Sequence, residues 1–147
     1  SINEKLINVR AACHPVRILA DCHEYLNLPQ PLIMPASMLP NNVKQKLRQK
    51  ELFDFDITID ANGFVFNDSN CTLPNLLVLS YALAIATSGK AKRIFLAGFD
   101  GYGADDPRRK EVDNVFNLYQ KTKGSVDFCS ITETRYEIPI QSIYGMI

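Results

Sequence analysis

Apolar residues fall in short clusters along most of the chain and thicken into one long run between Leu73 and Thr87. Leu6, Ile7 and Val9 predict a short helix over residues 3–9. Val16, Ile18, Leu19 and Ala20 predict a buried strand ending at Asp21, and Leu32, Ile33 and Met34 a second one, set off by Pro31 and Pro35. Asn41 or Asn42 can cap a helix with Val43 and Leu47 on one face and Lys44, Lys46, Arg48 and Lys50 elsewhere. Over residues 53–60 the alternation is strict, placing Phe53, Phe55, Ile57 and Ile59 on one face. Asp60, Ala61, Asn62 and Gly63 are turn residues, so residues 64–66 are expected to return as its hairpin partner.

The second half is patterned more strongly. A helix is predicted from near Pro74 to about Ser88, apolar almost all round and therefore buried, with Gly89 ending it. Residues 94–97 are continuously apolar, as in a strand buried on both faces of a parallel sheet. A glycine-rich loop follows, then a helix with Asp106 as N-cap and Pro107 at its first position. Val112, Val115, Phe116 and Tyr119 form its apolar stripe, and residues 126–129 read as the next strand. Helix, strand, helix, strand is the order of an α/β, Rossmann-like fold: a mostly parallel sheet with helices on both faces. Such a fold normally opens on a strand and a glycine-rich turn, whereas this chain opens on a helix. Either the fold is permuted, or residues 1–147 are a single α/β domain lacking its first strand that begins inside a larger protein; the second reading is preferred.

Composition narrows the function. Hydrophobic residues make up 46% of the 147, enough for a packed core. Sixteen basic residues balance 16 acidic ones, without the basic excess that nucleic-acid binding needs, so no nucleic-acid partner is expected. The apolar run at residues 73–87 is broken by Pro74, Asn75, Ser80 and Tyr81, and no membrane span or secretion signal is read. Cys13, Cys22, Cys71 and Cys129 are scattered in apolar surroundings, as buried free thiols of a cytoplasmic protein would be.

The loop at residues 98–106 is the strongest candidate site, because open α/β sheets place ligands at the carboxyl ends of their strands. Asp100 leaves the strand there, Gly101 allows close approach, and Tyr102, Asp105 and Arg108 follow. Capping and dipole complementation also account for Asp105 and Asp106. Ser69, Asn70 and Thr72, before the buried helix, are the second candidate, since a helix amino terminus seats anions; simple N-capping is the alternative. The glycine order is not that of a dinucleotide site. The Cys13-His14 and Cys22-His23 pairs lack zinc-ligand spacing, so no metal site is assigned. Asp100 and His23 are the candidates for acid–base work. The hydroxyl-rich end, residues 130–145, is read as a segment that wraps a ligand, docks a partner or forms an ordered tail.

Ser80 to Arg108, with its Ala97-Gly98-Phe99-Asp100-Gly101-Tyr102-Gly103 centre, and Ser130 to Tyr136 carry a resemblance. The chain resembles the C-terminal domain that follows an HMG-CoA-lyase-like barrel in bacterial 4-hydroxy-2-oxovalerate aldolase-like proteins, which occur with surface-polysaccharide biosynthesis. More distantly it is similar to CMP-sialic-acid-dependent sialyltransferases and to pterin-pyrophosphokinase-like domains. The resemblance implies an accessory domain that binds a nucleotide or nucleotide-sugar, with the lyase site and any divalent metal in the barrel and no cofactor here. It equally admits a nucleotide-sugar-dependent glycosyltransferase or a non-catalytic homo-oligomerisation domain. The sialyltransferase pattern requires a histidine downstream of its strand-end aspartate, and this chain has none after His23.

Overall fold

A computed structural model describes residues 3–145. It is a mixed α/β structure in which eight short strands form three small sheets. In the first, β1 (Arg10–Ala11), β2 (Leu32–Met34) and β3 (Leu52–Asp54) lie side by side and parallel. In the second, β4 (Asp56–Ile59) runs parallel to β6 (Asn70–Leu73), which pairs antiparallel with β5 (Val65–Phe66) on its other side. In the third, β7 (Ile94–Leu96) runs parallel to β8 (Phe128–Ser130).

The first expected strand is a helix. Residues Pro15–Ala20 form α1, followed after Asp21 by α2 (Cys22–Asn27). Pro15 occupies the first helical position, where its missing N–H costs nothing. Ile18 and Cys22, four apart, are buried together, while Val16 and Leu19 face outward. A short apolar run does not separate a strand from a helix by period alone, and the proline was the deciding signal. The expected opening helix is a single 3-10 turn, Glu4–Leu6, capped by Asn3.

The alternating stretch at residues 53–60 divides between two sheets. Phe55 falls between β3 and β4, its N–H donating to the Met34 carbonyl (3.1 Å). Phe55 and Ile57 are buried, whereas Phe53 and Ile59 stand about half exposed, so the four do not share one covered face. The turn at Asp60 forms, but residues 65–66 pair with β6 rather than with β4. A parallel β4–β6 pairing has taken the place of the expected hairpin.

Helix α3 (Asn41–Lys46) and α4 (Val78–Ser88) appear where expected, but α4 begins four residues later than Pro74. Asn70–Leu73 is held as strand by partners on both sides, and Pro74 then ends the ladder. The N-cap position is Leu77, without a side-chain cap; Asn75, just before it, accepts at Oδ1 from the Leu77 N–H (3.3 Å) and the Ser80 hydroxyl (2.7 Å). At the other end Lys90, not Gly89, takes the left-handed conformation (φ 58°), and Ala91 N–H reaches back to the Ala86 carbonyl (3.0 Å).

Helix α5 (Pro107–Lys121) has Asp106 as N-cap and buries Val112, Val115, Phe116 and Tyr119. Phe116 stacks on Phe128 of β8, and Tyr119 meets Phe64, Phe66 and Phe128 edge-on. Strand β7 is not covered on both sides, since Phe95 is 46% exposed with Arg93 over its ring.

Two clusters make the core. The larger joins β4, β6, α4, α5 and β8 through residues such as Leu73, Tyr81, Leu83, Val115 and Tyr119. The smaller joins α1, α2, β2 and α3 through Ile18, Cys22, Leu32, Met34, Val43 and Leu47. Each fully buried Leu, Ile or Val contributes about 1.5–3 kcal/mol. All four cysteines are free and buried.

Candidate functional site

The carboxyl ends of β1 and β7 and the segment after β6 converge on one open groove of about 840 Å3. Its lining includes the loop Gly98, Phe99, Asp100, Gly101 and Tyr102 and the entry and first turn of α4, from Leu76 to Leu79. His14, Arg17, Ala82, Val112 and Tyr136 complete the lining.

The loop is built to hold this shape. Gly98 (φ 75°) and Gly101 (φ 92°) occupy the left-handed region that side chains disfavour. A Cβ on Gly101 would lie 3.0 Å from Arg135 Cβ and 3.3 Å from its nitrogen. The hydroxyl-rich end of the chain supplies the props: Thr132 Oγ1 accepts from Gly98 N–H (3.0 Å), and Arg135 N–H donates to the Asp100 carbonyl (3.0 Å). Arg109 in turn donates to the Arg135 carbonyl (2.9 Å). This end therefore packs against the loop, and of its residues Tyr136 reaches the groove. Burial pushes the Tyr136 phenol above its ordinary pKa.

Asp100, Gly101 and Tyr102 all line the groove. Asp100 is exposed, and among the described residues neither it nor Arg17 takes part in a salt bridge. Arg108 is one step removed: its guanidinium lies 4.3 Å from the Tyr102 ring centre and pairs with Asp106 (2.6 Å). That hydrogen-bonded pair holds the Asp106 carboxyl below its ordinary pKa. Asp105 sits in the turn before α5 and is not among the groove-lining residues.

Ser69, Asn70 and Thr72 are not at a helix amino terminus. Asn70 opens β6, Thr72 is in register with Thr58 and Val65, and Asn70 Oδ1 accepts from Asn67 (2.7 Å). They precede or lie within the strand, while the groove forms beyond its carboxyl end. The helix start that does line the groove is that of α4, through Leu77, Val78 and Leu79. His23 is exposed on α2 and does not line the groove. The imidazole that does is His14, the N-cap residue of α1.

Arg17 and His14 are the groups the sequence reading missed. Had Pro15 been taken as a helix start, their spacing of three would have put both on one face.

A second, apolar cavity of about 290 Å3 lies beside the groove, lined by Cys13, Ile18, Met38, Ile57 and Ile59 among others. Leu76 borders both, and its carbonyl accepts from the Cys13 thiol (3.5 Å). Burial pushes that thiol up to about 11. Among the described residues no three His, Cys, Asp or Glu side chains converge as metal ligands, and no helix is long and apolar enough to cross a membrane.

Compared with protein-family models, curated proteins and solved structures, the chain shows no match to any.

Proposed function

We propose that this chain is a small-molecule-binding accessory domain whose ligand is a nucleotide or nucleotide-sugar held in the groove between the Asp100 loop and the start of α4. The observation that carries this is the placement of Arg17 and His14 with Asp100, Tyr102 and the first turn of a helix around one cavity. A guanidinium and helix N–H groups suit phosphate oxygens, an aromatic ring suits a base, and a free carboxylate suits sugar hydroxyls. The site lies at the carboxyl edge of parallel strands, the position ligands take in Rossmann-like folds, and we adopt that finer description here.

The aldolase-like resemblance supplies the context: a C-terminal module of a cytoplasmic, bacterial carbon–carbon lyase in surface-polysaccharide biosynthesis, with the lyase chemistry outside this chain. The exposed carboxylate of Asp100 also fits a glycosyltransferase reading, in which it would act as base toward an acceptor hydroxyl.

Calorimetric titration with CMP, UDP and a CMP-sugar tests the proposal. Binding that weakens at least tenfold in Arg17→Ala and in Asp100→Asn supports it. No heat or thermal shift with any of the three rejects it. Turnover of the CMP-sugar that disappears in Asp100→Asn would favour the transferase.

One observation favours assembly as an additional role. Ile140, Ile143 and Tyr144 are exposed near the end of the chain. Sedimentation of Ile143→Ser/Tyr144→Ser against the unaltered chain tests whether this patch joins two copies.

A further inference from the structure

One short helix separates two cavities of opposite character. On α1 and its entry, His14 and Arg17 face the groove, while Pro15, Ile18 and Leu19 face the smaller cavity. Leu76 borders both cavities, and its carbonyl accepts from the Cys13 thiol. No charged side chain lines the smaller cavity, and its walls are aliphatic residues, prolines, Met38 and Cys13. Its volume of about 290 Å3 is close to twice that of an engineered cavity of about 150 Å3 that stays dry and takes up benzene. Water gains few partners there, and an uncharged apolar group gains contacts on most sides.

We infer that the ligand of the groove is amphipathic: its anionic part lies by Arg17 and His14, and an uncharged aliphatic group attached to it enters the cavity lined by Ile18, Met38, Ile57 and Ile59. The inference rests on the reading of the groove as an anion-binding site. The occupant follows from the geometry. Leu76, 36% exposed, borders both spaces, so one molecule can lie across it with a part in each. The size of the smaller cavity admits an aliphatic segment and no folded element of a protein.

The test compares ethyl phosphate with n-octyl phosphate, and runs CMP in parallel, on the full chain by calorimetry. Burying several extra methylenes, each worth severalfold in affinity, is expected to make octyl phosphate bind at least about tenfold tighter than ethyl phosphate. Met38 is 65% exposed and Ile59 48% exposed at the cavity, so Met38→Trp and Ile59→Trp narrow it without emptying the core. In both variants the octyl advantage should vanish while ethyl phosphate affinity stays within twofold.

An octyl advantage absent from the unaltered chain overturns the inference. So does one that survives both tryptophan variants, because the chain then merely adsorbs apolar groups. Concentration-dependent dimers abolished by Met38→Trp, with no octyl advantage, would show that a second copy takes the cavity and would overturn it too. An octyl advantage lost in the variants, alongside no CMP binding, supports the amphipathic ligand and rejects the nucleotide.

Discussion

Tyr81 donates its phenolic hydrogen to the carbonyl of Phe55 over 2.7 Å, at the one residue where the chain passes from the first sheet to the second. The tyrosine is fully buried in α4, and the two rings lie 5.9 Å apart. A helix of the larger core thereby fixes the step between β3 and β4, which in turn sets where Ile57 and Ile59 meet the apolar cavity.

Tyr81→Phe keeps the ring and removes the donor. It is expected to cost about 1–3 kcal/mol, the penalty for stranding a buried carbonyl. Urea unfolding at neutral pH measures it, and an unchanged midpoint would show that the hydroxyl contributes nothing net.

Gly101→Ala should act on stability and binding together. The residue has φ 92°, and its new Cβ would press on Arg135, whose N–H holds the Asp100 carbonyl. A loss of about 1–3 kcal/mol is expected from a residue forced into a sparsely populated conformation. Titration with CMP should weaken as the Asp100 loop shifts. Gly103→Ala, with no atom near the added carbon, is the control and should leave both readings unchanged.

Lys90→Gly should stabilise the chain. Lys90 pays the left-handed penalty at the end of α4, roughly 1–2 kcal/mol for a residue with a Cβ. Glycine's greater freedom when unfolded returns part of that gain, so a net rise of about 0.5–1 kcal/mol is expected. A lower thermal midpoint in the variant would contradict the assignment.

Alkaline pH should destabilise the fold through its thiols. Burial pushes Cys13 up to about 11 and Cys71 up to about 12, against about 8.5 for a free cysteine. Their raised values mean the folded state keeps protons that the unfolded state gives up. Their contribution is therefore complete below about pH 8.5 and is lost as pH climbs toward 11–12. Tyr81, also shifted upward chiefly by burial, adds in the same direction above its ordinary range. Urea midpoints at pH 8 and pH 10.5 test this. The fall should shrink when Cys13 and Cys71 are both replaced by alanine.

What the sequence made legible was local chemistry. Asp106 and Pro107 marked the start of α5, its apolar stripe is buried residue for residue, and the Asp100 loop opens onto the groove. What it hid was competition between alternatives of similar local quality. Residues 16–20 satisfied a strand pattern, yet Pro15 and the burial of Ile18 with Cys22 made a helix. That error concealed Arg17 and His14. Asn70 to Leu73 carries capping residues that suit a helix start, but pairing on both sides draws it into the sheet, a long-range choice that no local window contains.

The groove draws its walls from both cores. His14 and Arg17 ride on the segment anchored by Ile18 in the smaller cluster, whereas Leu79 and Val112 belong to the larger one. Cooperative units of different size open at different free energies, so the α1–α2 half is expected to exchange its amide hydrogens sooner than α4 and α5. A molecule bridging the two walls would slow exchange chiefly in α1, where occupancy could be read from a single short peptide.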